Sequence, residues 1–294
     1  MNNFLQVLVV GIGDGAVYAM LGLGLVVIYR STGLLNFAQG ELAMFSTFIT
    51  WTIWEVGVPL PLAVLGGMAG GFLVGALLHQ VAVRPLGDPH LRPLATVIVT
   101  IGLFLAVNGA AQLIWGTLDK DFPKLFGENQ VTIGGVAIAW QKIGAVLVLA
   151  VMVLGFWFLF QRTKVGLAMR AVASNSESAA LVGVPVPRLL MLGWGLAAAV
   201  GTVAGVFTAP NLGLGSNLMQ LTLIFGFAAI TLGGFDSPLG AVVGGMVVGI
   251  LTSVLPQYLP IFSKMRLAPA FLLILLVLLF RPQGLFGRKQ VERV

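Results

Sequence analysis

Apolar runs of about 20 residues follow one another along almost the whole chain, and short connections between them carry most of the charge. A helix needs about 20 mostly apolar residues to cross the hydrocarbon layer. Every backbone polar group in that layer must also find its partner within the chain. The runs at 4–28, 37–56, 61–83, 93–115, 141–161, 188–209, 218–234, 239–256 and 266–281 therefore read as nine spanning helices. The seventh and eighth are short and Gly-rich, separated by Gly233, Gly234, Phe235, Asp236, Ser237 and Pro238. Either fits a re-entrant segment as well as a crossing. The expected fold is all-α: a polytopic integral membrane protein with eight to ten transmembrane helices and one domain over 1–294.

Only 9% of the 294 residues are charged, where a soluble domain carries roughly 25%. Mean hydropathy is +1.02. A net charge of +6 would suggest nucleic acid in a soluble protein. Here the cations sit between apolar runs, where they set orientation. The chain has no cysteine, which excludes disulfides and thiolate sites. Residues 1–28 lack a basic leading segment and an evident cleavage site, and read as a retained first helix.

Nine crossings with the N-terminus outside put Arg30, Arg84, Arg92, Arg162, Lys164, Arg170, Arg188, Arg281, Arg288, Lys289 and Arg293 inside, and Lys120, Lys124, Lys142, Lys264 and Arg266 outside. Eleven against five obeys the positive-inside bias. Trp51, Trp54, Trp115 and Trp140 fall at outer ends, as an interfacial aromatic belt requires. The extramembrane stretches are 116–140 outside, a cytoplasmic loop at 162–187 and a short basic cytoplasmic tail at 282–294.

Glycine, at 39 residues, lets helix backbones approach closely where lipid supplies no hydrophobic drive. Gly66, Gly67, Gly70, Gly71 and Gly75 mark the third span, and Gly240, Gly244, Gly245 and Gly249 the eighth. GGFLVGAL at 70–77 resembles GGMVVGIL at 244–251. The topology runs these two spans in opposite directions, as an inverted repeat would; chance likeness between Gly/Val/Leu-rich helices is the simpler alternative.

An acid at membrane depth costs at least about 2.5 kcal/mol and is a functional suspect. Asp14, in GIGDGAVYAM, and Glu41, in LLNFAQGELAM, are the two acids clearly within spans. Asn36, Gln39 and Asn108 add neutral polar groups. These five are candidates for a pathway or for structural polar contacts. Glu41 also suits the start of a helix, where an acid complements the dipole, and Asp14 suits a position near the outer surface. His79 and His90 lack a partner at metal-binding spacing and read as solvated. No GxSxG, HExxH or GxxxxGK[ST] motif occurs, so neither a hydrolase elbow, a zinc protease nor P-loop ATP hydrolysis is expected of this chain.

The segment RTKVGLAMRAVASNSESAALVGVPVPR at 162–188 breaks the apolar pattern and holds four of the 16 cations. Within it Glu177-Ser178-Ala179-Ala180 precedes Gly183, close to the EAA-x-x-x-G pattern of coupling helices in ABC import permeases. A short amphipathic helix would present Ala179, Leu181 and Val182 to a partner groove. Gly183 would end it, and Pro185 and Pro187 would stop it running on. A solvated connecting loop is the simpler reading of these residues.

Together with GDGAVYAMLGLGLVVIYRSTGLLNFAQGELAMFSTF at 13–48, FAAITLGGFDSPLGAVVGGMVVGIL at 227–251 and LLFRPQGLFG at 278–287, that loop resembles the LivH-type branched-chain amino-acid ABC permease family. Gln39 departs from the histidine of the common NFAHGE form. The resemblance implies an ABC importer permease fold in a bacterial inner membrane, with the C-terminus cytoplasmic. It implies half of a translocation pathway for leucine, isoleucine or valine, completed by a second, LivM-like permease. Two cytoplasmic ATP-binding subunits and a periplasmic substrate-binding protein complete the set of partners. ATP and Mg would be bound by the ATPase subunits, with no cofactor in this chain. Arg170, Asn175, Glu177, Ala179, Ala180, Leu181 and Gly183 would couple to the ATPase. A urea or short-chain amide importer shares these blocks. An ion-coupled secondary transporter using Asp14 or Glu41 is the rival from another class.

Overall fold

A computed structural model describes residues 2–87 and 92–287. His90 and the expected inside cations Arg288, Lys289 and Arg293 lie outside the described residues. Twelve α-helices occur among the described residues: α1 (Asn2–Thr32), α2 (Gln39–Glu55), α3 (Leu60–Leu78), α4 (Pro93–Trp115), α5 (Trp140–Arg162), α6 (Lys164–Ser174), α7 (Ser176–Leu181), α8 (Val186–Leu212), α9 (Gln220–Gly233), α10 (Pro238–Tyr258), α11 (Pro260–Ser263) and α12 (Ala268–Phe280). Proline sits at the first or second position of α3, α4, α8 and α10, where its missing N–H costs no hydrogen bond.

The nine expected spans correspond to nine helices, but not all are full crossings. Six of them (α1, α3, α4, α5, α8 and α10) are long and apolar enough to cross a membrane. The 14 residues of α9 and 13 of α12 rise only about 20 Å at 1.5 Å per residue, short of a layer about 30 Å thick. Of the two spans read as re-entrant or crossing, α10 is full length and α9 is not. The helical fold is as expected, with one short hairpin in addition. In the 116–140 stretch, β1 (Gln130–Ile133) pairs antiparallel with β2 (Val136–Ala139). Gly134 and Gly135, both at positive φ, supply a two-residue turn of the kind that matches strand twist. Gln6 secures this hairpin to α1, donating to the Ala137 carbonyl at 2.7 Å and accepting from its N–H at 2.9 Å.

Side-chain registers give the helix directions. Asp14 meets Lys142 and Arg30 lies over Phe160, so α1 and α5 run parallel. Glu41 meets Asn108 and Phe48 stacks on Trp115, so α2 and α4 run parallel, both opposite to α1. The α1, α3, α5 and α9 helices share one direction, and α2, α4, α8 and α10 the other. One face of the bundle therefore gathers the start of α1, the hairpin, and all four belt tryptophans. The opposite face gathers α6, α7 and the eight described cations of the expected inside set.

The glycines show how the layers meet. Gly70 and Gly66 of α3 face Ile49 and Ile53 of α2, and Gly244 and Gly240 of α10 face Ala229 and Gly233 of α9. Gly71 and Gly75 reach Thr202, Trp194 and Ala198 of α8, while Gly245 and Gly249 reach Ala19, Gly15 and Gly11 of α1. The two similar octapeptides thus make equivalent contacts, position by position. Helices α8, α2 and α3 correspond to α1, α9 and α10, turned over in the membrane, as an inverted repeat requires. The central pair, α1 and α8, is the most enclosed by protein of the long helices.

Candidate functional site

Three places draw together the polar residues, and each arises from a different local feature. The first is the deep start of α2. Gln39 is fully buried, and its Nε2 donates to the Ala197 carbonyl at 2.8 Å. Ala197 is 11 residues into α8, about 16 Å along that helix, so α2 begins well inside the layer. Gly24 and Gly201 clear the space for the Gln39 amide, since a Cβ on either would lie 2.7 or 3.1 Å from its Nε2. Asn36 accepts from the Ala38 N–H at 3.0 Å and turns the chain into the helix. Gln39 pins α2 to α8, and Asn36 shapes the turn that leads into α2.

Glu41 lies in the first turn of α2 and is 2% exposed. Its Oε2 accepts from Asn108 Nδ2 at 3.0 Å, and the same amide donates to the Ser216 carbonyl at 2.9 Å. Gln112 donates to Asn108 Oδ1 at 2.6 Å. The sequence candidates Asn36, Gln39 and Glu41 are buried together at the start of α2, and half-buried Asn108 completes the layer by bonding Glu41. The layer joins α2, α4, α8 and the loop before α9. At Glu41 a helix N-terminus and an amide donor converge on one carboxyl.

Asp14 stands apart. It pairs with Lys142 of α5, and the two side chains are 33% and 23% exposed. The Lys142 stem runs across Gly13, where any side chain would collide with it. The pair lines a cavity of about 560 Å³ that also touches Gln141, Phe207, Phe225 and Arg266. Lys142, Gln141 and Arg266 were not among the sequence candidates. The available signal was one acid and one base, each inside or at the edge of an apolar run, with no neighbour to neutralise it locally.

The third place is the basic face. Thr163 starts α6 by accepting from the Gly166 N–H at 3.0 Å. Asn175, extended at φ −160 and ψ 106, ends α6 and starts α7, and its Oδ1 accepts from the Ser178 N–H at 2.7 Å. The Ala-rich stretch is therefore two helices with a corner between them. Glu177 occupies the first turn of α7. Gly183, at φ +85, accepts the left-handed conformation that closes α7. Its N–H bonds the Ala180 carbonyl and the Val184 N–H bonds the Ala179 carbonyl, both at 3.0 Å, the paired bonds of a Schellman stop. Ala179 points inward at 4% exposure, against the expectation that a partner would meet it. Ala180 is exposed, and Leu181 and Val182 are 84% and 79% exposed. Arg170 is exposed on α6, 3.5 Å from Gln161.

His79 differs from its sequence reading. It is 1% exposed beside Trp194, in a short π-helical turn His79–Val83 that ends α3. Among the described residues no group of three or more His, Asp or Glu could hold a metal.

Comparison with known proteins concerns the chain as a whole. The family model described as "Branched-chain amino acid transport system / permease component" matches residues 7–280. The high-affinity branched-chain amino acid transport system permease protein BraD of Pseudomonas aeruginosa is 31% identical, over 99% of this chain and 98% of its own. LivH of Escherichia coli K12, of the same description, is 29% identical over the same shares. The fructose import permease protein FruG of Bifidobacterium longum is 26% identical over 75% of this chain and 66% of its own.

Proposed function

The chain belongs to the family of branched-chain amino acid transport permease components, and from that premise we propose that it forms half of an ATP-driven import pathway for leucine, isoleucine and valine. It is a multi-pass membrane protein and a transport subunit without an ATPase domain. As an ABC importer permease it works with ATPase and binding-protein partners. A LivM-like permease is the proposed second half of the pathway.

The observation that carries the coupling assignment is the exposed apolar pair Leu181–Val182 on a helix capped at both ends, on the face that collects the cations. The positive-inside bias supports reading a cation-rich face as cytoplasmic, and so supports an ATPase docked at α7. Capping makes α7 a rigid unit, and its apolar residues fit a groove in a partner. Movement of the ATPase pair would reach α8 directly, because α7 joins it through only four residues, Val182 to Pro185. The buried layer at Gln39 and Glu41 then ties α8 to α2 and α4. The substrate assignment is supported by the near-complete length over which BraD and LivH match. Likeness to FruG makes sugar the alternative that an experiment must separate.

The complex copurified with the tagged chain, with its binding protein, is placed in liposomes loaded with ATP on the ATPase side. The expected result is ATP-dependent uptake of L-leucine, with no uptake of urea or fructose. Uptake of urea or fructose in place of leucine would overturn the substrate assignment. Uptake driven by an ion gradient without ATPase subunits would overturn the family mechanism for this chain.

A further inference from the structure

We propose that the cavity beside Asp14 and Lys142 is a binding site for a free amino acid, taken as its zwitterion, within this permease subunit. The proposal rests on the amino-acid reading above and assigns a contact point for that substrate. The cavity's volume, about 560 Å³, lies in the range of small-molecule sites. It belongs to the face carrying the hairpin and the tryptophans, opposite α7, and so to the side on which a binding protein would deliver its load.

The wall chemistry selects the ligand. The cavity is lined by one anion, Asp14, and two cations, Lys142 and Arg266. Arg266 forms no ion pair among the described residues. Gln141 is 6% exposed. Its Oε1 accepts from the Phe126 N–H at 3.1 Å, while its Nε2 has no hydrogen-bond partner among the described residues. A buried donor without an acceptor is costly, and an arriving acceptor relieves that cost. An excess cation and an orphaned donor together call for an anionic acceptor such as a carboxylate. The ion pair need not break to admit a ligand. Lys142 has three N–H donors and Asp14 meets it through Oδ1 alone. The remaining Lys142 donors suit a carboxylate, and Asp14 Oδ2 suits an ammonium. Phe207 and Phe225 supply apolar surface for a branched side chain. A neutral solute such as urea or fructose would leave both Arg266 and Asp14 Oδ2 without a charged partner.

The test is equilibrium binding of radiolabelled L-leucine to the complex copurified with the tagged chain, without the binding protein. Saturable binding is expected, displaced by valine and not by urea, fructose or glycerophosphoethanolamine, the last standing for a lipid headgroup. Arg266→Gln should weaken binding at least about tenfold, the scale of one charge-assisted hydrogen bond. The double variant Asp14→Asn, Lys142→Met removes both charges together and should abolish binding without leaving a lone charge. Lys264→Gln, an exposed cation away from the cavity, should change nothing. Absence of saturable leucine binding, binding undiminished in both cavity variants, or displacement by glycerophosphoethanolamine would each overturn the site. The two readings fail separately. Leucine uptake without leucine binding removes the cavity assignment alone. Uptake of urea or fructose instead is scored on transport and removes the functional reading.

Discussion

The two inverted halves pack alike and are finished differently. In one, the glycines of α3 meet mainly side chains of α2 and α8, with Gly67 and Gly71 set against hydroxyls and Gly75 against backbone. Gly71 faces Ser46 Oγ and Thr202 Oγ1, and Gln39 locks α2 to α8 by an amide hydrogen bond. In the other, α10 meets α1 through bare backbone. Gly245 lies on the Ala19 backbone and Gly249 on Gly15 and Gly11. There the residue at the start of α9, Gln220, bonds only to nearby Asn217 at 2.8 Å. The repeat supplies the scaffold, since small residues at matching positions let helices approach where lipid gives no drive. The differences supply the sites. The pinned half holds the buried layer of Gln39, Glu41 and Asn108, and the half packed on backbone leaves the cavity between Asp14 and Phe225.

Inversion makes an all-or-none claim about the two faces. Cysteine at Ser174, after α6, and cysteine at Thr117, after α4, should label from opposite sides of the membrane. Thr117→Cys should react in cells with a permeabilised outer membrane and Ser174→Cys only once the inner membrane is opened. The chain has no native cysteine to confuse the signal. Labelling from one side would break the comparison.

Equivalent glycines should then differ in tolerance. A Cβ at Gly245 would lie 2.6–2.8 Å from Ala19 Cβ, N and Cα, and one at Gly71 would lie 2.7–2.9 Å from two hydroxyl side chains. All three contacts at Gly245 are fixed to the backbone, whereas at Gly71 both hydroxyls can rotate away and only the Ser46 Cβ contact stays fixed. Gly245→Ala should cost about 3 kcal/mol and Gly71→Ala about 1 kcal/mol, within the range for overpacking. Thermal unfolding of the detergent-solubilised complex gives both values. Equal losses would show that the two seams are mechanically the same.

The glutamines sharpen the comparison further. Gln39→Ala removes a buried hydrogen bond and opens a void between Gly24 and Gly201, at a cost of about 2 kcal/mol. Gln220→Ala, half-exposed, should stay within about 0.5 kcal/mol. A similar loss at both positions, read in the same unfolding measurement, would deny Gln39 its pinning role.

Much of this was legible before any coordinates. Apolar run lengths located nine helices, because the bilayer imposes a length on anything that crosses it. The likeness of 70–77 to 244–251 offers a repeat but leaves chance as the simpler alternative, and it is the matching glycine contacts that favour the repeat. Run length marks both the seventh and eighth runs as short but cannot separate them, and only the fold shows that α9 is the half-helix and α10 the full-length one. The hairpin at 130–139 is absent from the expected elements although VTIGGVAIA carries the two-glycine turn, because a polar stretch between two spans reads as a connection. Ala179 was placed outward on composition, but a six-residue helix has no periodicity to fix its buried face. Lys142 and Gln141 were passed over because partners from α1 and α5, more than a hundred residues apart, are joined only by the fold.

The central claim is that an ATPase grips this permease at α7, and substitution of Leu181 tests it most directly. The side chain is 84% exposed, so Leu181→Glu has no packing to lose within the chain. In a partner groove it would bury an unpaired carboxylate, which costs several kcal/mol. The measurement is retention of ATPase subunits by the tagged variant, with its membrane abundance and leucine uptake. The account predicts normal abundance with loss of both retention and uptake. Normal retention and uptake at normal abundance would contradict it.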